Sequence, residues 1–219
     1  MTRSELKTLM RSWLDDTNGG YFTDSQCNTW LNLAQRRVQM LLLQAGENFY
    51  EKTVETLTVA SQADYVLPSD FFILHRLEII TSGSGTSESR QPIYPITINQ
   101  QDFVSISLGT PTNYYLKKDR FTLSPTPDTA NKVLRLYYSY LVADMSADGD
   151  EPDAPEQYHE LVAIYAAEDG FIKDDRTMNN LMVKKEKYES LIKQAAENRT
   201  QDRSRQVVMV EDYDAGNFF

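Results

Sequence analysis

The sequence predicts an α+β fold: a helical bundle of two N-terminal and two C-terminal helices, an inserted antiparallel β-rich domain, and an extended C-terminal tail. Three observations carry this. Apolar residues recur at helical spacing near both ends of the chain, they alternate through its middle, and neither pattern continues past about Thr200. Each helix pair has an apolar stripe to bury, and packing the four helices together is the economical solution. The expected organisation is residues 1–48 and 154–199 for the bundle, 49–153 for the inserted domain, and 200–219 for a docking tail.

Leu6, Leu9, Met10, Trp13 and Leu14 fall on one helix face, and Asn18-Gly19-Gly20 stops that helix. Thr23 then offers an N-cap, with Gln26 three residues on as a capping box. The second helix runs from about Asp24 to Ala45 and ends at Gly46, with a wide apolar face that includes Trp30, Ala34, Val38 and Leu41. Strands follow around Leu57 and Val59, at Tyr65–Leu67, and from Ile73 to Ile80, with a single helical turn over Phe71 and Phe72. Ser82 to Ser89 reads as a flexible polar loop, and Pro92 and Pro95 keep the next segment extended. A short helix is expected over Asn99–Ile106. A hairpin joins Thr112–Leu116 to Phe121–Leu123 through Lys117-Lys118-Asp119-Arg120. Val133 to Val142 is the strongest strand, with Leu134, Leu136, Tyr138 and Tyr140 on its more apolar face. After the acidic linker Asp148–Asp153, Pro155 suits a first helical turn. Tyr158, Leu161, Val162, Tyr165 and Ala166 line a helix up to about Asp169-Gly170. The last helix spans about Asp175 to Asn198, with Met178, Leu181, Met182, Tyr188, Leu191, Ile192 and Ala195 on one side.

Composition excludes several function classes. A net charge of −10 over 219 residues weighs against binding nucleic acid by charge neutralisation, which needs a basic surface. The single Cys27 rules out an intramolecular disulfide framework, and two histidines leave little for a histidine metal centre. No apolar run approaches the ~20 residues of a membrane helix, and the first ten residues read as an amphipathic helix without a signal-peptide core. A reducing cytoplasm, or a particle assembled there, is the expected compartment.

Enzyme templates fit poorly. There is no G-x-S-x-G, P-loop, HExxH or G-x-G-x-x-G pattern. Ser82-Gly83-Ser84-Gly85 lacks the lysine and helix that would hold a phosphate. Cys27 sits inside a helix among core residues, and His159 reads as a surface or interface residue. Carboxylate clusters at Asp15-Asp16, Asp148–Asp153, Asp174-Asp175 and Glu211–Asp214 are the one route to catalysis that composition leaves open; runs in linkers and tails are usually solvated. No catalytic, cofactor or metal residues are assigned. Thirteen tyrosines are more informative. Tyr114, Tyr115, Tyr137, Tyr138 and Tyr140 cluster in the β-rich domain, and alternation turns some of them away from the core, where amphipathic aromatics favour a tail-side or subunit interface. The tail carries an apolar, β-prone segment, Val207, Val208, Met209 and Val210, then Tyr213 and the aromatic end Phe218-Phe219. A segment of this kind can add a strand to a partner's sheet and seat an aromatic end in a pocket.

The chain resembles the head-to-tail adaptor (connector) proteins of tailed bacteriophages, especially the portal-bound adaptors of short-tailed phages. The resemblance rests on the helix order, on Asp64-Tyr65-Val66-Leu67-Pro68-Ser69-Asp70-Phe71-Phe72, and on Pro111–Tyr115 followed by Phe121–Pro127. It continues through Leu134–Tyr138 and the helix start Pro155–Leu161. It implies a virion structural protein, assembled in the bacterial cytoplasm as a dodecameric ring at the head–tail junction. The tail residues named above would dock on the portal protein and the β domain would face a downstream tail or nozzle protein. Genomic DNA would pass through the channel without specific binding, since an acidic lumen repels phosphate. No cofactor, membrane contact or catalysis is expected. The alternatives are another neck or tail component, such as a stopper or tail-completion protein, or a carboxylate-dependent cell-wall glycosidase.

Overall fold

The computed structural model describes residues 1–46, 48–83, 85–97 and 107–207. Contacts divide the chain into two compact units, one of Met1–Phe49 with the residues from Val142 on, the other of Tyr50–Leu141.

The first unit holds α1 (Arg3–Trp13), α2 (Asp24–Gln44), α3 (His159–Lys173) and α4 (Asn179–Val207). Both N-terminal helices open on capping boxes, Thr2 with Glu5 and Thr23 with Gln26. In each, the threonine oxygen takes a backbone N–H and the longer side chain takes the cap's own N–H, so two orphan donors are satisfied. Gly46 ends α2 in the left-handed region, φ 73°, as a glycine can without strain. Arg11, buried, ties the α1–α2 turn together: it donates to Asp16 Oδ2 at 2.6 Å, to the Phe22 carbonyl at 2.9 Å and to Asp24 at 2.8 Å. Val142–Met145 is bound to α2, where Gln39 accepts from the Val142 N–H and Asn32 from the Met145 N–H.

The third helix is the centre of this unit. Every residue from Leu161 to Ala167 is buried, so the stripe expected from the sequence is one sector of a helix apolar all round. It contacts α1, α2 and α4. A 3₁₀ turn, Glu156–Tyr158, precedes it. It also continues past the expected stop at Asp169-Gly170. Gly170 lies inside the helix because α1 comes close: a Cβ there would sit 2.6 Å from Leu14 Cδ1. That glycine serves packing, not termination.

Helix α4 corrects the sequence reading twice. It runs to Val207, past Asn198, so the backbone of residues 200–207 is helical where an extended tail was expected. Thr200–Gln206 contains no glycine or proline, and helix propagation needs no apolar stripe. Second, Leu181 and Ile192 are buried, but Met182 and Leu191, expected on the same side, are 49% and 48% exposed.

The second unit is built from β1 (Glu51–Leu57), β2 (Asp64–Val66), β3 (Phe71–Ser82), β4 (Ser89–Pro95), β5 (Leu108–Gly109), β6 (Asn113–Leu116), β7 (Arg120–Ser124), β8 (Thr126–Pro127) and β9 (Val133–Tyr140). A seven-stranded sheet has the order β1-β9-β3-β4-β6-β7-β2, antiparallel except for β4 with β6; β5 and β8 form a separate parallel pair. Leu134 and Leu136 of β9 pack with Leu77 and Ile79 of β3, Ile93, Tyr114, Phe121 and Leu123, as the alternation requires. Phe71 opens β3 instead of a helical turn, because its N–H closes a turn onto Pro68 and it then pairs with Tyr140. The segment read as a flexible linker is the β3–β4 connection. It contains a 3₁₀ turn, Gly85–Ser87, and Gly83 at φ 83°, where a Cβ would overlap the Ser87 carbonyl oxygen. The helix expected over Asn99–Ile106 lies outside the described residues.

Candidate interaction surfaces

The carboxylate clusters among the described residues are engaged in structure, and Glu211–Asp214 lies outside those residues. Asp148 accepts from Arg3 at 2.8 Å, and that bond, with Lys7 beside it, holds its carboxyl below the usual range. Asp150 caps the Ser146 and Ala147 N–H groups, both at 2.7 Å, and is lowered by those bonds. Asp16 belongs to the buried Arg11 pair, and Asp174 pairs with Arg176. No group of three or more His, Cys, Asp or Glu side chains among the described residues is arranged to hold a metal ion.

The single-copy nucleophile and the histidines are likewise structural. Cys27 is fully buried, and burial pushes its thiol up. His159, read from the sequence as a surface or interface residue, is buried because the α3 start folds against the chain's first residue: its Nδ1 lies 2.7 Å from the Met1 amine and its Nε2 is 2.9 Å from the Ala154 carbonyl. His75 is exposed and lies 2.6 Å from Ser139 Oγ.

Of the tyrosines singled out from the sequence, Tyr114, Tyr115 and Tyr138 are buried inside the β unit. Tyr138 donates to Asp70 at 2.9 Å, and burial together with that carboxylate pushes its phenol up to about 12. Tyr137 and Tyr140 are half-buried; Tyr137 donates to Glu78, and Tyr140 lies under the Lys52 ammonium, 3.9 Å from the ring centre. Aromatic area that alternation alone assigns outward is therefore largely spent within the unit. Among the described residues the exposed tyrosines are Tyr94 and Tyr21. Val207 closes α4, and Val208, Met209, Val210, Tyr213, Phe218 and Phe219 lie outside the described residues.

A polar network covers the sheet face opposite the core. Arg135 on β9 bonds Glu55 of β1 at 2.7 Å and both oxygens of Glu88, at 2.9 and 3.2 Å, just before β4. These bonds raise the affinity of its guanidinium for the proton even further. Glu78 is fully buried beside it, accepting from Tyr137 at 3.0 Å, while Arg76 Nη2 lies 2.8 Å from its other oxygen without hydrogen-bond alignment. The β3–β4 loop is thus strapped across the sheet by Glu88.

Sequence reasoning missed the apolar surface. On α4, Val183 is exposed along with Met182 and Leu191; on α2, Leu33 and Met40 are exposed one above the other at i and i+7. On the β unit, Val66 (76%) and Leu116 (47%) are exposed beside the β6–β7 turn. Helical spacing could have flagged α4, since its apolar arc is wider than one contact covers.

The charged groups brace the chain's own elements, and apolar residues reach solvent from several helices and strands. The family model described as "SU10 adaptor protein" matches residues 1–210. The chain belongs to that family, and is a phage structural adaptor and a component of the virion. Comparison with curated proteins gives no match. Among the described residues no helix is long and apolar enough to cross a membrane.

Proposed function

We propose that copies of this adaptor close into a ring between the portal and the tail, leaving a channel for the genome and a platform for tail components. One observation supports this above the rest. At about 100° per residue, Met182 and Leu191 fall on opposite edges of the α4 stripe formed by Leu181, Tyr188 and Ile192. The helical unit thus offers apolar surface in two directions. A ring needs that, since each subunit meets its two neighbours through different faces. The net charge of −10 supports a channel that phosphate does not adhere to. The engagement of Asp16, Asp148 and Asp150 in ion pairs and caps favours a structural part over a glycosidase.

Within this reading the apolar and aromatic tail residues from Val207 to Phe219 engage the portal. Co-sedimentation with the portal ring of the same genome tests both parts. The full chain is expected to pellet with portal. A chain truncated after Arg205 is expected to keep its circular dichroism and lose the pelleting. Equal pelleting of the truncated chain overturns the tail assignment, and no pelleting of either overturns the portal reading.

A further inference from the structure

Ion pairs place exposed apolar residues of three helices on one side of the helical unit. Arg37 of α2 bonds Asp169 of α3, and Lys185 of α4 bonds Glu168 of α3, both at 2.8 Å. One turn from these charges stand Leu33 and Met40 on α2, Ile172 on α3 and Met182 on α4, all exposed. Ile172 projects furthest, 71% exposed near the end of α3. Lys173 follows it, exposed and without an ion pair among the described residues. Its ammonium lies 5.9 Å from the centre of the Trp30 ring, one turn from Leu33.

The other side of α4 borders a hollow. Trp13, Phe171, Met178, Leu181 and Lys184 line an open cavity of about 520 Å³ between α1, α3 and α4. Lys184 is two residues from Met182, about 160° around the helix axis. At the rim, Arg176 stands 5.2 Å from the centre of the Phe171 ring and is shared by Asp174 and by Asp15, whose side chain is 85% exposed. That rim therefore has a carboxylate to spare, as the knob at Ile172 has a spare cation. Knob and hollow match in apolar character and in sign. Phe171 and Ile172 are adjacent, so both surfaces lie at the same end of the helical unit, which suits a closed ring better than a rising filament. We infer that Ile172 of one copy inserts into the cavity between Trp13 and Leu181 of a second copy, with Lys173 meeting Asp15. The contact joins two different surfaces, so each copy offers a knob to one neighbour and a hollow to the other. The inference rests on the ring reading above and names the contact that builds the ring.

Mixed cysteine variants test it in the full-length chain assembled on the portal ring. Asn180 is exposed and lines the cavity, so a thiol there reports on what enters it. Chains carrying Ile172→Cys, mixed with chains carrying Asn180→Cys, are expected to give disulfide-linked dimers under mild oxidation. Each variant alone is expected to give none. Because the two thiols are on different chains, a link reports contact between copies. Rings that form without the link overturn this inference and leave the ring reading standing. Dimers of Ile172→Cys alone overturn the pairing of knob with hollow. Absence of rings in the unsubstituted chain overturns both readings. Charge is the second arm: Ile172→Glu is expected to raise the concentration needed for ring formation about tenfold, and Ile172→Lys only about threefold, because the rim is acidic. Both are expected to keep the circular dichroism of the unsubstituted chain, since Ile172 is exposed. Ring formation by Ile172→Glu at the unsubstituted concentration, or equal weakening by the two, contradicts the contact.

Discussion

Tyr165 of α3 donates its phenol hydrogen to Glu189 of α4 at 2.8 Å, and Tyr188 of α4 donates to Glu160 of α3 at 2.6 Å. The two bonds run in opposite directions across one helix pair. Lys184 adds a bond to Glu160, and Lys185 bonds Glu168 across the same helix pair. Among its described side chains α4 buries only Leu181 and Ile192 of its apolar residues, so this brace sets how firmly it stays on α3. Tyr165→Phe is expected to cost about 1.5–3 kcal/mol, the net worth of a bond to a charged acceptor. Hydrogen exchange in α4 should rise while α1 and α2 stay protected. Unchanged protection of α4 contradicts the brace.

The same tyrosines set an alkaline limit. Burial and Asp70 push Tyr138 up to about 12; the bond to Glu160 and burial push Tyr188 up to about 12; burial and Glu189 push Tyr165 higher still. Each folded-state value lies above the ordinary tyrosine value of about 10, so the folded chain holds protons that the unfolded chain has released. Their contribution is complete below pH of about 10 and is lost as pH rises through the folded values. The thermal midpoint is expected to be flat from about pH 8 to 9.5 and to fall steeply above 10, less steeply in Tyr165→Phe. A midpoint flat to pH of about 12 contradicts this.

Arg135 is held among Glu55, Glu78 and Glu88, and Glu78 is fully buried. Arg135→Met leaves that carboxylate without its central cation, and a cost of about 3 kcal/mol is expected in urea unfolding. Arg36→Met, which removes an exposed pair with Asp144, is expected to cost less than about 1 kcal/mol. Equal costs would show that the Arg135 network behaves as solvated surface charge.

Gly83 and Gly85 separate backbone strain from steric overlap. Both have positive φ, 83° and 59°, but a Cβ on Gly85 meets open space while one on Gly83 overlaps the Ser87 carbonyl. Gly85→Ala is expected to cost about 1 kcal/mol and Gly83→Ala at least about 2, since the backbone must also shift. The reverse order in thermal unfolding overturns the loop geometry.

Much of the fold is legible from local pattern. Thr23 with Gln26, the Gly46 stop, the Lys117–Arg120 turn and the alternation along Val133–Tyr140 each act through neighbours in sequence, and each appears where it was expected. What escaped depends on distant partners. Gly170 looks like a stop until Leu14 is seen against it, His159 looks superficial until Met1 is placed, and Ser82–Ser89 looks flexible until Glu88 meets Arg135. The interface expectation rested on residue type: tyrosine content pointed to the β unit, yet three of the five named tyrosines are buried there, while exposed apolar residues include Leu33, Met40, Val66, Leu116, Met182, Val183 and Leu191.

Negative-stain microscopy of the full chain mixed with the portal ring of the same genome tests the adaptor ring most directly. Added ring-shaped density on one end of the portal, with the channel still open along its axis, is the expected result. Bare portals beside free protein, at concentrations well above micromolar, contradict it.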